Sequence, residues 1–255
     1  MLFAGCDMIE YHPYDGRVKG ETGINAKNIK RIESSCAEKE TIRFVWMGDT
    51  QGWYSDTEKF VKAVNARNDV DFVIHGGDIA DYGMTREFMN MRDIMNKLRV
   101  PYVVVIGNHD CLGTGREVFQ HIFGEVNFSF LAGNTKFICL ETSVLGIDYS
   151  VPIPDFQFLE RELTNREEGW EKTVVSMHAP PYDMEFNNNI TFIFQRFLKE
   201  FPLLQFCTYA HTHNLAVNDF FNDGVLYYGC SSIEKRSYIL FTITPDSYTY
   251  EVVSF

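Results

Sequence analysis

The sequence predicts an α/β fold in which parallel strand–helix–strand units come first and antiparallel strands come last. Three observations predict it. The apolar runs Ile42–Met47, Phe72–His75 and 102–106 are short, unbroken and rich in branched and aromatic residues, as strands buried on both faces are. Amphipathic stretches of helical period separate them. The residues after the runs recur at a regular interval: Asp49 and Asp78 are 29 residues apart, Asp78 and Asn108 30. That is about one βαβ repeat, so all three polar residues leave the same edge of one sheet, the carboxyl edge where sites form in open α/β proteins.

The elements follow in order. Residues 55–67 carry Phe60, Val61 and Val64 on one helical face, with Ser55 or Asp56 as N-cap. Residues 85–98 repeat the pattern with Phe88, Met91, Ile94, Met95 and Leu98, and 118–123 is a shorter helical stretch. Residues 127–131 and 136–141 form a hairpin through Ala132-Gly133-Asn134. Residues 155–166 form a helix capped by Asp155, Lys172–Met177 a strand leading to His178, and 190–200 a helix stopped at Phe201-Pro202. Leu204–Tyr209 leads to His211. Residues 216–221, 225–229, 238–244 and 248–254 read as antiparallel strands joined by Asn222-Asp223-Gly224 and Pro245-Asp246 turns. The sum is two facing sheets with helices outside.

At 255 residues and 45% apolar content the chain supports one large core, and no Pro/Gly/Ser linker or repeat divides it. Residues 41–255 read as one domain, with residues 1–40, polar and charged from Asp7 on, as a tether in which 25–34 could form a short helix. The net charge of −12 disfavours long nucleic acids as partners, since the nearest thing to a basic patch, Lys27, Lys30 and Arg31, reads as a solvated helix face. No run reaches the ~18–20 apolar residues of a membrane span. Of six cysteines, Cys139, Cys207 and Cys230 sit in strand patterns as buried thiols, and no disulfide framework is expected. Leu2-Phe3-Ala4-Gly5-Cys6 resembles a lipobox, although only Met1 precedes it where a basic and an apolar region should stand. The expectation is a truncated lipoprotein signal, a lipid anchor at Cys6 and the bacterial cell envelope; otherwise the reading is cytoplasmic.

The chemistry sits at the strand ends: Gly48-Asp49-Thr50-Gln51, Gly77-Asp78-Ile79-Ala80-Asp81, Gly107-Asn108-His109-Asp110, His178 before Ala179-Pro180, and Ala210-His211-Thr212-His213. These five segments in this order resemble the calcineurin-like metallophosphoesterase family over roughly residues 41–255. The resemblance implies a four-layer α/β/β/α sandwich and a binuclear centre of two divalent ions (Mn, Fe, Mg or Zn). Asp78 would bridge them, Asp49 and His213 would hold the first, and Asn108, His178 and His211 the second. The implied reaction is hydrolysis of a small phosphodiester or phosphomonoester by a metal-activated hydroxide. His109 would face the phosphate with Asp81 on its other ring nitrogen, as general acid and charge stabiliser. Asp110 is expected to support the loop.

Gln51 departs from the family, which usually has histidine there. It could ligate through its amide oxygen, favouring Mn²⁺, Mg²⁺ or Fe²⁺ over Zn²⁺ at the first position, or hold a metal-bound water. His12, His75 and His121 read as structural or exposed. Trp53, Tyr54, Tyr82, Met84 and Tyr182 read as an aromatic rim or as local packing, and the Asn187–Asn189 run as a surface loop near His178. Only Arg86, Arg92 and Arg116 lie near the motifs as donors for a phosphate, which leans the reading toward a diester or a small phosphorylated metabolite. There is no P-loop, no G-x-S-x-G elbow and no H-E-x-x-H, and Gly113-Thr114-Gly115 reads as a loop. The alternative from another class is a degenerate metal-binding envelope protein with little turnover. The pairing of Asp81 with His109 argues against it, because a pure binder has no use for that pair.

Overall fold

The structure, a computed structural model, describes residues 16–144 and 153–255; Cys6 and His12, and with them the lipid-anchor reading, lie outside the described residues. In chain order the strands are β1 (Ile42–Met47), β2 (Phe72–His75), β3 (Tyr102–Val104), β4 (Phe128–Ala132), β5 (Thr135–Leu140), β6 (Lys172–Met177), β7 (Leu204–Tyr209), β8 (Ala216–Asn218), β9 (Tyr227–Gly229), β10 (Ser237–Ile243) and β11 (Tyr248–Ser254). The α-helices are α1 (Ile24–Cys36), α2 (Tyr54–Asn65), α3 (Thr85–Met95), α4 (Gly115–Ile122), α5 (Phe156–Thr164) and α6 (Thr191–Leu198).

Two mixed sheets form, in the orders β11-β10-β1-β2-β3 and β4-β5-β6-β7-β9-β8. β1, β2 and β3 run parallel, with Met47 opposite His75 and His75 opposite Val104, so the three polar loops after them leave one edge together. β5, β6, β7 and β9 are also parallel and deliver His178 and His211 at their own carboxyl edge.

The side-chain alternation of β1 shows why the layers stack. Phe44 and Trp46 face the second sheet, in a cluster with Phe72, Phe137, Val174 and Phe206, while Val45 and Met47 face α2, α3 and α4 through Phe60, Phe88, Met91 and Phe119. On β6, Val174 faces inward, and Val175 and Met177 face α5 and α6 through Phe158, Leu159, Phe194 and Leu198. The result is the α/β/β/α sandwich. Phe44 stacks on Phe72 and Phe241 and meets Phe137 edge-on, contacts worth ~0.5–1.5 kcal/mol each beyond the area they bury. The Trp46 indole N–H donates to the Tyr209 carbonyl at 3.0 Å and ties the two sheets together beside the site.

The N-terminal reading needs correction. Residues 24–36 are not part of a tether: α1 buries Ile24, Ile32 and Cys36 in the core. The reason lies in two asparagines. Asn25 donates to the Val104 carbonyl and accepts from the Val104 N–H, both at 2.9 Å, and Asn28 donates to the Tyr102 carbonyl at 2.8 Å. Buried asparagines thus replace the missing strand partner at the β3 edge. Lys27, Lys30 and Arg31 fall on the solvated face of this helix.

Other departures are local. α2 starts at Tyr54, and Asp56, expected as a cap, sits in its first turn bonded to Lys59 and Arg236. Asp155 does cap α5, accepting from Gln157 and Phe158 N–H groups. β8 stops at Asn218 because the Asp219 carboxylate accepts the N–H groups of Asp223 and Gly224 and turns the chain. Gly115 opens α4 and belongs there because a Cβ would stand 2.4 Å from the Asp110 carbonyl oxygen.

Candidate metal centre

The strand-end loops converge into one cluster. Asp78 is the residue it is built around. Ligand atoms of Asp78, His178 and His211 lie within 4.8 Å of one another, and so do those of Asp49, Asp78 and His213. Asp78 belongs to both groups. The Asp49/Asp78/His213 group is called the first pole here, and the Asp78/His178/His211 group, with Asn108, the second.

The backbone is bent to make this possible. Asp49, Gln51, Asp78, His211 and His213 all have positive φ, between 37° and 64°. A left-handed conformation costs a side-chain-bearing residue roughly 1 kcal/mol or more, and such strain persists only where surrounding structure holds it. Here the Asp49 N–H donates to the Gly77 carbonyl and the Gln51 N–H to the Asp78 carbonyl, both at 3.0 Å. Glycine makes room between the loops: a Cβ on Gly107 would lie 2.2 Å from the Asp78 carboxylate, and one on Gly77, itself at φ +101°, 2.6 Å from the His178 ring.

Each expected residue has a definite place. Asp49 and Asp78 are buried, and among the described residues no lysine or arginine bonds to either. Asp49 Oδ1 lies 3.4 Å from His213 Nε2, while its Oδ2 is buried without a hydrogen-bond partner. Asp78 Oδ1 accepts from the His109 N–H at 2.9 Å and lies 3.3 Å from His178 Nε2. Asn108 Oδ1 stands 3.0 Å from both His178 Nε2 and His211 Nδ1.

Burial works against a charged His178, yet Asp78 and Asp49 outweigh it and raise the ring to about 10; His213 is raised too, through its bond to Asp49. Asp78 is lowered by His178 and His109 in spite of burial. Two buried carboxylates, one orphaned oxygen and a ring of neutral donors demand positive charge at the middle of the cluster. A proton on His178 supplies part of it. Divalent cations fit better, because the donor set of carboxylate oxygen, amide oxygen and imidazole nitrogen is theirs.

Two expectations about the site change, the atom that meets His109 and the number of free arginines, while ligation by Gln51 stays a proposal. His109 Nδ1 lies 2.6 Å from the main-chain carbonyl of Asp81, not on the carboxylate, which stands at 3.8 Å. The carbonyl wins because the loop after Asp78 turns its backbone toward the half-exposed ring. Gln51 enters through its main chain, and its half-buried amide makes no hydrogen bond among the described residues. Of the three arginines, Arg92 is buried on the Lys19 and Glu21 carbonyls, and Arg116 donates through Nε and Nη2 to the two oxygens of the buried Glu141 carboxylate, at 3.0 and 2.7 Å. Only Arg86 stays exposed.

The surroundings were harder to read in advance. His75 is structural, as expected, and it forms the floor: its Nδ1 accepts from the Gly77 N–H, its Nε2 meets the Thr50 hydroxyl at 2.9 Å, and burial lowers it to about 3, keeping it neutral. Asp110 clamps two loops, accepting from Ala80 and Gly107 N–H groups at 2.8 and 2.9 Å, with burial and then Asp78 raising it to about 7. Asp183, five residues after His178, was not foreseen. Its carboxylate lies 3.1 Å from His211 Nε2, a contact between distant segments that no local pattern announces. Asn188 clips the same loop, accepting from the Tyr182 N–H and donating to the Asp183 carbonyl. Trp53, Tyr82 and Tyr182 are exposed around the cluster, and Tyr182 packs on Phe220 and Phe221.

Comparison with known proteins gives the same answer as the geometry. The family described as Calcineurin-like phosphoesterase matches residues 42–215. A 3′,5′-cyclic-nucleotide phosphodiesterase of Nostoc sp. is 26% identical over 132 residues, 50% of this chain and 49% of that protein. A probable glycerophosphodiester phosphodiesterase of Arcobacter nitrofigilis is 28% identical over 123 residues, 46% of this chain and 44% of that protein. The chain thus spans about half the length of the curated relatives it matches. Among solved structures, a dimetal phosphatase from Danio rerio superposes with a TM-score of 0.68 at 14% identity, over 84% of this chain and 96% of that one, a likeness of fold.

Proposed function

The chain belongs to the calcineurin-like phosphoesterase family, and on that premise we propose that it hydrolyses a small phosphodiester at a centre of two divalent cations. The observation that carries the reading is Asp78: one buried carboxylate shared by two ligand groups, beside the unpartnered Asp49 Oδ2. Asp49, Asp78 and His213 would hold one ion, with Gln51 within the same loop. Asp78, Asn108, His178 and His211 would hold the other. When bound, such ions polarise a phosphoryl group and lower the pKa of water toward ~7.

The chain's own groups do the rest. The Asp81 carbonyl fixes the hydrogen of His109 on Nδ1 and leaves Nε2 for the phosphate side. A protonated His109 donates to a phosphoryl oxygen or to the leaving oxygen as it gains charge. A diester suits the site better than a monoester. A monoester brings one more negative charge, and two of the three nearby arginines are bound elsewhere. The two curated relatives named above are, by name, phosphodiesterases. The net charge of −12 argues for a small substrate over a nucleic acid chain.

The test is a screen of the metal-reconstituted protein against bis(p-nitrophenyl) phosphate, p-nitrophenyl phosphate, cyclic nucleotides and glycerophosphodiesters, with bound metal counted in the same sample. We expect two ions per chain and a higher kcat/KM for diesters. A preference for monoesters would refute the diester assignment. Two bound ions without turnover of any ester would refute the hydrolase.

A further inference from the structure

We infer that Asp183 is a positioning residue for the second pole: it fixes the tautomer and ring plane of His211 so that a bare Nδ1 faces Asn108. The inference rests on the metal-centre reading above and concerns a residue outside the motifs.

A neutral imidazole has one N–H and one lone pair, and a ligating nitrogen must be the bare one. On His211, Nε2 lies 3.1 Å from Asp183 Oδ1. A carboxylate only accepts, so Nε2 takes the hydrogen and Nδ1, 3.0 Å from Asn108 Oδ1, keeps its lone pair. His178 reaches the same end by the opposite tautomer. Its Nδ1 lies 2.7 Å from the Gly76 carbonyl oxygen, which also only accepts, so Nε2, 3.0 Å from Asn108 Oδ1, is the nitrogen that gives up its proton to ligate. Once His178 has lost its proton, three electron-pair donors meet at the second pole, an arrangement that a cation completes.

The two histidines differ in what holds them. His178 is fully buried at the end of β6 and braced by main chain. His211 has a left-handed backbone and a side chain about one-fifth exposed. It needs a brace from outside its own loop, and Asp183 is built as one. Its Oδ1 also accepts from the Glu185 N–H at 2.9 Å, its N–H donates to the Pro180 carbonyl at 3.2 Å, and its carbonyl accepts from Asn188 at 2.7 Å. Asp183 stands on the far nitrogen of His211 and outside both ligand groups, so it acts through the histidine.

The experiment titrates metal-free protein with Zn²⁺ by calorimetry, for wild type, Asp183→Asn and Asp183→Ala, and reads the His211 tautomer in the Zn²⁺-loaded proteins by ¹⁵N NMR. Asparagine retains an oxygen for the Glu185 N–H, so this variant keeps the loop. We expect two Zn²⁺ per wild-type chain with His211 protonated on Nε2. In both variants the second ion should bind roughly 10–100-fold more weakly, the first as before, with a mixed tautomer in Asp183→Ala. Unchanged affinities and tautomer in both variants would overturn the inference alone. Equal weakening of both sites with a lowered melting temperature would also overturn it, making Asp183 a loop clip. A wild type that binds no Zn²⁺ would overturn the metal centre and the inference together.

Discussion

The two poles share Asp78 and little else. At the second, each histidine has an oxygen behind it: the Gly76 carbonyl behind His178 and the Asp183 carboxylate behind His211. His178 is fully buried, and Asn108 is within 3.0 Å of both rings. At the first, His213 is about one-third exposed, no acceptor stands behind its ring among the described residues, and Gln51 is held only by its main chain. One pole is assembled before any ion arrives. The other offers a buried, unpartnered Asp49 oxygen and open sides. On the proposed function the contrast would give them different work: a fixed second ion that anchors and orients, and an exchangeable first ion at the more open pole.

The largest expected effect comes from removing what the poles share. Asp78→Asn should lower turnover by about 10³-fold or more and leave fewer than two ions bound, because a neutral amide cannot offset the repulsion between two cations. Metal counting and kinetics on one sample check this. Two bound ions and retained activity would show that the poles are independent. Next comes a group in neither pole. His109→Ala should keep both ions and lose roughly 10²–10³-fold on an alkyl diester, with a much smaller loss on an activated aryl ester. Loss of a metal instead would make His109 a ligand.

A direct comparison of the poles is the third test. In metal-free protein, His178→Ala leaves the buried Asp78 carboxylate without its imidazole and should cost ~3 kcal/mol by urea unfolding. His213→Ala should cost less, because its ring is about one-third exposed and water can enter beside Asp49 when it is removed. Equal costs would erase the distinction drawn between them.

The same contrast marks what could be read from the sequence. The parallel strands and their terminal Asp49, Asp78, Asn108, His178, His211 and His213 were legible, because buried parallel strands are continuous apolar runs and a polar residue just beyond one stands out. The sandwich was legible from the order of elements. What escaped were contacts between segments distant in the chain. α1 passed for tether because its function is to seal the β3 edge through Asn25 and Asn28, and an asparagine that replaces a strand partner looks in sequence like one in a loop. Asp183 escaped as a brace for the same reason, whereas Asp110 was read as a loop support and is one. Pairing Asp81 with His109 was right in position and wrong in atom, since sequence names a residue but not whether its carbonyl or its carboxylate turns inward.

A smaller effect follows from protons. His178 is raised to about 10, so at pH 7, below that value, the metal-free ring is protonated. A ligand must be neutral, so metal binding at the second pole should release about one proton at pH 7. Its apparent affinity should rise about tenfold per pH unit and level off near pH 10, and falling pH should weaken it by the same factor. Calorimetry in two buffers of different ionisation enthalpy counts the proton. No release would mean that the second pole is neutral before the ion arrives.

The smallest expected effect is confined to the first pole. Gln51 stands where the family usually has histidine, its backbone held at φ 37° and its N–H on the Asp78 carbonyl. The side chain is therefore carried to the rim of the cluster whatever its chemistry. An amide oxygen is a harder and weaker donor than imidazole nitrogen, so the first ion should exchange readily and Mn²⁺ should activate better than Zn²⁺. Gln51→His should tighten the first site, by about tenfold, and shift its preference toward Zn²⁺. The second site should titrate as before, because Asn108, His178, His211 and the brace on Asp183 are untouched. Activation curves for Mn²⁺ and Zn²⁺, measured on both proteins, separate the outcomes. If the curves coincide, Gln51 faces water or substrate and the first pole is Asp49, Asp78 and His213 alone. The two poles would then differ in the number of protein ligands as well as in their bracing, and the exchangeable ion would be held more loosely still.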